Sequence, residues 1–80
     1  MDRSEIFAKL TEVFADVFDD SSIQLTENTT SADIPAWDSL THITLIAEIE
    51  DAFDMKFAMK EVLGMQNVGE MVDIIERECA

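Results

Sequence analysis

Residues 37–54 read WDSLTHITLIAEIEDAFD, and this stretch decides the fold because its apolar residues repeat with a helical period. Asp38 predicts the helix start, since its carboxylate can accept a hydrogen bond from a backbone N–H of the first turn, where Ser39 lies. At about 100° per residue, one arc carries the residues predicted to be buried: Ile43, Leu45, Ile46, Ile49 and Phe53. The opposite side carries the residues predicted to face water: Leu40, Thr44, Ala47, Glu48, Asp51 and Asp54.

The sequence before this helix predicts another helix and a long loop. Asp2 and Glu5 have the spacing of a reciprocal N-terminal cap, which predicts a helix over residues 3–18. Its apolar stripe consists of Ile6, Phe7, Leu10, Val13, Phe14, Val17 and Phe18. From Asp19 to Trp37 the chain is polar and shows no sustained period, which indicates an ordered loop. The predicted anchors of this loop are Ile23, Leu25, Ile34 and Trp37.

The sequence after residue 54 predicts a short helix and a final one. The short helix covers residues 58–63 and stops at Gly64, and Asn67 with Glu70 caps the last helix. The apolar face of the last helix consists of Val68, Met71, Val72 and Ile75. The predicted fold is all-α: a small antiparallel bundle of three main helices plus one short helix, with a long first loop, in a single domain over residues 1–80.

Composition limits the classes of partner. The 80 residues include 18 acidic and 5 basic side chains, a formal charge of −13, which disfavours nucleic acid and anionic membrane surfaces. Cys79 is the only cysteine, so no intramolecular disulfide can form, which favours a reducing cytoplasm. We expect no leader and no membrane-spanning stretch. No metal-binding pattern such as a calcium loop is expected either. We expect a monomer.

Ser39 is the residue best placed for chemistry. A serine in the first turn of a helix lies beside free backbone N–H groups and the positive end of the helix dipole, which favour a phosphate group there. The alternative is that Asp38 and Ser39 only cap the helix. These residues alone leave both interpretations open.

Asp38-Ser39-Leu40, followed by an apolar and acidic run that ends in Phe53-Asp54, resembles the acyl carrier proteins and related thiolation domains. The resemblance covers nearly the whole chain. It implies that Ser39, flanked by Asp38 and Leu40, is esterified by 4′-phosphopantetheine, which a phosphopantetheinyl transferase donates from coenzyme A. It further implies a carrier without catalysis of its own, which holds acyl groups as thioesters for fatty-acid, polyketide or other specialised biosynthesis.

The sequence departs from the pattern of many fatty-acid carriers at a few positions. Pro35-Ala36-Trp37 stands where those carriers have a Leu-Gly pair and a small residue, Ser31 replaces a bulky apolar residue, and Lys60 stands where an acidic residue is frequent. The version with tryptophan looks more like carriers of specialised pathways. An aminoacyl or peptidyl carrier, and an acidic protein-interaction module without cofactor, stay open as alternatives.

One-sided charge predicts a docking face around Ser39. No Lys or Arg occurs between Leu10 and Met55, and complementary charge speeds encounters with basic patches on partner enzymes without requiring tight binding. The resemblance implies that these partners include an acyl-activating ligase, an acyltransferase or a synthase, besides the transferase. The residues predicted to dock are Leu40, Thr44, Ala47, Glu48, Glu50, Asp51 and Met65. A solvated acidic face without a partner is the alternative.

His42 is the only histidine, and it follows Ser39 by about one helical turn. A Ser-His hydrolase would also need an orienting group and an oxyanion site, which nothing in the sequence marks. We therefore expect His42 to be a partly buried, hydrogen-bonded residue near the mouth of the apolar seam.

Overall fold

The computed structural model describes residues 2–79, and within that range the regular structure is entirely helical. Helix α1 spans Arg3–Phe18, α2 spans Ser39–Phe53, α3 spans Met59–Gly64 and α4 spans Val68–Cys79. A single 3₁₀ turn, Ser31–Asp33, interrupts the loop between α1 and α2 and was not predicted. The all-α prediction of three main helices and one short helix is confirmed. The predicted domain bounds, 1–80, include Met1 and Ala80, which lie outside the described residues.

The predicted caps form where the sequence indicated them. The Asp2 carboxylate accepts the backbone N–H of Glu5 at 2.9 Å, and α1 covers the predicted 3–18. The Asn67 side chain accepts the backbone N–H of Glu70 at 2.9 Å in the first turn of α4. Helix α3 lies one residue later than the predicted 58–63, because Ala58 is its N-cap and Gly64 its last residue.

One core joins α1, α2 and α4. Its fully buried side chains are Ile6, Leu10, Phe14, Leu45, Ile49, Val68, Met71, Val72 and Ile75. The loop closes this core from one end, since Ile34 and Trp37 are buried, and Ile23 and Leu25 pack against it half-buried. The predicted loop anchors and the predicted apolar face of α4 are therefore confirmed.

The loop is also fixed to the start of α4 through its backbone. The Val68 N–H donates to the Thr29 carbonyl at 2.8 Å, and the Gly69 N–H donates to the Glu27 carbonyl at 2.9 Å. A Cβ atom at position 69 would lie 2.7 Å from the Glu27 carbonyl oxygen. Only glycine allows this close approach, which holds the loop in the position from which it leads into α2.

The prediction that Ile43 is buried is wrong. The four other residues of that arc are buried, but Ile43 is 67% exposed. Ile43 lies at the edge of the arc, about 40° from Ser39 at 100° per residue, on the side where α3 faces α2. Helix α3 has only 6 residues and buries none of them fully, so it does not cover Ile43.

Candidate functional site

The start of α2 is fixed by two side chains that cap each other's backbone. The Asp38 carboxylate accepts the N–H groups of Leu40 and Thr41, each at 2.9 Å. In return the Thr41 hydroxyl accepts the Asp38 N–H at 2.7 Å, and it donates its proton to the Ala36 carbonyl at 2.8 Å. The N–H groups of Thr41 and Leu40 hold the pKa of the Asp38 carboxyl below its usual range, so this side chain is a carboxylate at neutral pH.

Ser39 is the first residue of α2, and it is exposed. Asp38 has an extended backbone and its carboxylate accepts N–H groups of the first helical turn, so the helix begins at Ser39. Leu40 beside it is 78% exposed. The structure therefore has the displayed serine at a helix N-terminus that the sequence predicted.

Ser39 lies on the rim of a groove between α2 and α3. The groove has a volume of about 770 Å³ and is lined mainly by apolar side chains. Those side chains are Trp37, Ile43, Ile46, Ala47, Phe57, Met59, Val62, Leu63 and Met65. An elongated, partly apolar group attached at Ser39 has an apolar surface within immediate reach.

The sequence did not predict the three exposed apolar residues of this groove. Ile43 was predicted to be buried, whereas Met59 and Leu63 on α3 were not assigned to any site. Met59 is 73% exposed and Leu63 is 79% exposed, although both are large apolar side chains. Their spacing of four residues on one short helix is the signal that could have indicated a shared face.

The predicted docking residues fall into two groups. Leu40, Thr44, Ala47, Glu48 and Asp51 are exposed on the open side of α2. Glu50 is half-buried, and its carboxylate accepts the backbone N–H of Phe57 at 2.9 Å, so it braces the connection to α3. Met65 is half-buried, packs against the core and lines the groove. That these residues bind a partner stays a prediction.

Ion pairing leaves the acidic surface of α2 free. Among residues 2–79 the ion pairs are made by Arg3, with Glu27, Asp73 and Glu76, and by Arg77, with Glu61 and Glu78. None of these pairs uses an acidic residue of α2. The negative field beside Ser39 is therefore not neutralised by a bridging cation within the described part of the chain.

Both ring nitrogens of His42 are engaged. The indole N–H of Trp37 donates to Nδ1 at 3.0 Å, and Nε2 lies 3.2 Å from the Val62 carbonyl oxygen. His42 is half-buried and lines the groove, as the sequence predicted. With Nδ1 accepting and Nε2 donating, neither nitrogen has a free lone pair to take the proton of Ser39.

The described residues were also compared with the requirements of a metal site and of a membrane-spanning helix. Between residues 2 and 79, no cluster of three or more His, Cys, Asp or Glu side chains has a metal-binding arrangement. No helix in the described range is both long and apolar enough to cross a bilayer.

Comparison with known proteins identifies the family. Residues 8–75 match the family model described as "Phosphopantetheine attachment site". This chain belongs to the acyl carrier protein family. The acyl carrier protein of Streptococcus pyogenes serotype M1 is 34% identical over 73 residues, which cover 91% of this chain and 95% of the relative. The acyl carrier protein of Rubrobacter xylanophilus is 33% identical and covers 100% of both chains.

A solved structure extends the likeness to three dimensions. The solution NMR structure of a holo acyl carrier protein from Geobacter metallireducens has a TM-score of 0.85 and 43% identity, covering 90% of this chain and 83% of that one. The prosthetic group of this carrier protein is 4′-phosphopantetheine. The residues at the start of α2 fit such a group, because an exposed hydroxyl lies at a capped helix N-terminus on the rim of an apolar groove.

Proposed function

We propose that this acyl carrier protein holds acyl groups as thioesters on a 4′-phosphopantetheine arm attached to the Ser39 hydroxyl, and that it delivers them to partner enzymes. The observation that carries the proposal is the position of Ser39: exposed, first in α2, and on the rim of the groove. The arm supplies a terminal thiol for thioester formation. Residues 1–80 act in this proposal as one carrier domain.

The residues around Ser39 present its hydroxyl to a transferase, and none of them activates it chemically. During attachment the Ser39 oxygen forms a new bond to the pantetheine-side phosphorus of the coenzyme A pyrophosphate. The bond from this phosphorus to the bridging oxygen breaks, adenosine bisphosphate leaves with that oxygen, and the hydroxyl proton goes to a base of the transferase. Asp38 does not serve as that base, since its carboxylate is held by two backbone N–H groups and its pKa is lowered. Its part is to hold the first turn of α2 in place.

The chain has no catalysis of its own in this proposal. A serine hydrolase would need His42 as a base, and both His42 nitrogens are occupied by Trp37 and Val62. The work of loading and transfer therefore belongs to partners: the phosphopantetheinyl transferase, an acyl-activating ligase, an acyltransferase or a synthase.

The partner enzymes are proposed to dock on the open side of α2 and on the rim of the groove. Glu48 and Asp51 offer unpaired negative charge, and Leu40 supplies an exposed apolar contact beside Ser39. The exposed Ile43, Met59 and Leu63 extend this apolar centre toward α3. A basic patch around an apolar depression is the complementary surface.

The type of pathway is proposed from the sequence departures noted above. Trp37 is built into the core and bonded to His42, so the residue before Asp38 has a structural role here that a small residue could not fill. This supports a carrier of specialised acyl or polyketide biosynthesis more than one of general fatty-acid synthesis. The free thiol of Cys79 agrees with a cytoplasmic setting.

The deciding experiment is attachment in vitro. Apo protein is incubated with coenzyme A and a broad-specificity phosphopantetheinyl transferase, and intact mass is measured. We expect one added phosphopantetheine in the wild type, none in Ser39→Ala, and full loading in Ser31→Ala, because Ser31 is an exposed serine on the same groove. A wild-type protein that gains no mass would support the cofactor-free interaction module instead.

A second arm of the experiment separates the types of cargo. Holo protein is offered to acyl-activating and to amino-acid-activating enzymes, and the mass of the thioester is read. Formation of aminoacyl thioesters alone would favour the aminoacyl or peptidyl carrier. Turnover of activated esters that disappears in His42→Ala would contradict a non-catalytic carrier.

A further inference from the structure

The short helix α3 depends on few contacts for its position. None of its residues is fully buried; Val62 packs against the core half-buried, and Glu61 is paired with Arg77 of α4. Its last carbonyl groups have no helical partner, as at the end of any helix. The Gln66 N–H, which would bond to the Val62 carbonyl if the helix continued, donates instead to the Glu70 carboxylate at 2.8 Å.

His42 provides the missing partner for the Val62 carbonyl. Because Nδ1 accepts the Trp37 N–H at 3.0 Å, the proton of the neutral ring lies on Nε2, which donates to the Val62 carbonyl at 3.2 Å. The Trp37 bond therefore selects the one neutral tautomer that can bind α3. The ring planes of Trp37 and His42 lie 24° apart, so the two rings are nearly parallel, and both line the groove.

Trp37 is itself held in place by the core and by its own backbone. Its side chain is buried, and its ring lies edge-on to Phe14 of α1 with the ring centroids 5.2 Å apart. Its backbone N–H donates to the Ile34 carbonyl at 2.9 Å. A chain of contacts thus leads from the core of α1 through Trp37 and His42 to the end of α3.

We propose that the Trp37–His42–Val62 relay is a latch that holds α3 against α2 and thereby positions the α3 wall of the groove beside Ser39. His42 is then a positioning residue. The relay joins the core to α3, which is the one of the four α-helices without a fully buried residue. That this wall serves the arm and its acyl group rests on the proposed function. The latch itself can be tested on the protein without its arm.

The test measures hydrogen exchange and ring nitrogen signals in the apo protein. His42→Leu removes both bonds, and we expect exchange of the Val62, Leu63 and Gly64 amides to rise about fivefold, the factor expected for one net hydrogen bond. Exchange in α1 and α4 should stay within about twofold. Thr44→Leu, the same replacement on the open side of α2, should leave α3 unchanged. His42→Gln, which can accept from Trp37 and donate to Val62, should restore protection.

Two measurements do not depend on the folding of His42→Leu: the tautomer of the wild-type His42 ring, and the behaviour of Trp37→Phe. Nitrogen-15 spectra of the neutral wild-type ring should show a proton on Nε2 and none on Nδ1. Trp37→Phe keeps an aromatic ring but removes the N–H that bonds to Nδ1 of His42. We therefore expect a mixture of both neutral tautomers of His42 and a partial loss of α3 protection. A proton on Nδ1 in the wild type, unchanged α3 exchange in His42→Leu, or an equal rise in all helices would overturn the latch.

The coenzyme A assay on the same variants separates the two proposals. If wild-type Ser39 accepts no arm but the exchange results hold, the latch stands and the carrier function fails. If Ser39 is loaded but α3 exchange does not respond to His42, the carrier function stands and the latch fails.

Discussion

The two sides of α2 carry similar apolar residues, but one side is buried and the other is exposed. On one side Leu45 and Ile49 are fully buried in the core shared with α1 and α4. On the other side Leu40 and Ile43 are 78% and 67% exposed, and across the groove α3 exposes Met59 and Leu63 as well. The difference lies in what faces each side: two long helices on one, and a six-residue helix on the other. Stability is therefore concentrated on the packed side, and the open side is where we propose that the arm and the partner enzymes bind.

An isoleucine-to-alanine substitution on each side of α2 measures how differently the two sides contribute to stability. Ile49→Ala should lower the free energy of unfolding by about 2–5 kcal/mol, because it leaves a cavity in a fully buried site. Ile43→Ala should change it by less than about 0.5 kcal/mol, since the side chain already faces water. Urea unfolding followed by circular dichroism measures both values. Comparable losses at the two positions would mean that α3 covers Ile43 in solution.

The two glycines lie on either side of the connection between α3 and α4, one in an open position and one in a packed position. Gly69→Ala should destabilise the fold by about 1–3 kcal/mol, because the new Cβ would lie 2.7 Å from the Glu27 carbonyl that Gly69 also binds. Gly64→Ala at the end of α3 should instead stabilise it by up to about 1 kcal/mol, since the new Cβ would have no atom within 4 Å beyond its neighbours in the helix, and alanine favours a helix. Thermal unfolding gives the two signs. Loss of stability in both variants would contradict the open position of α3.

The packed side could be predicted from the sequence because its signals are local. Periodicity placed Leu45, Ile49 and Phe53 in the core, and caps such as Asp2 with Glu5 use residues three positions apart. Ile43 could not be assigned in the same way. A helical period gives the direction of a side chain, but whether a neighbouring element is long enough to cover it depends on the tertiary structure.

The site was predicted in part for the same reason. Asp38 and Ser39 at the start of α2 follow from capping rules, whereas the reciprocal cap by Thr41 was missed because Glu or Gln usually fills that position. His42 was expected to be bonded, but its partners could not be named, since Val62 is 20 residues away along the chain. The four-residue spacing of Met59 and Leu63 places them on one face of α3, but it does not show whether that face is covered or exposed.

The smallest expected change in stability concerns Asp38, which caps the start of α2. The pKa of the Asp38 carboxyl is lowered in the fold by the N–H groups of Thr41 and Leu40, so the unfolded chain takes up this proton at higher pH than the native state does. The stability due to ionised Asp38 is therefore complete above the usual carboxyl pKa of about 4, and it is lost as pH falls through the lowered value.

Asp38→Asn isolates this contribution, because asparagine is also a good N-cap but does not titrate. We expect a slightly lower melting temperature than the wild type at pH 7, and a difference that narrows as the pH is lowered to about 3. Asp20 and Glu61 also have lowered pKa values, so both proteins lose stability in acid and only the difference between them reports on Asp38. A difference that stays constant with pH would show that the first turn of α2 is held by the geometry of the cap and not by its charge.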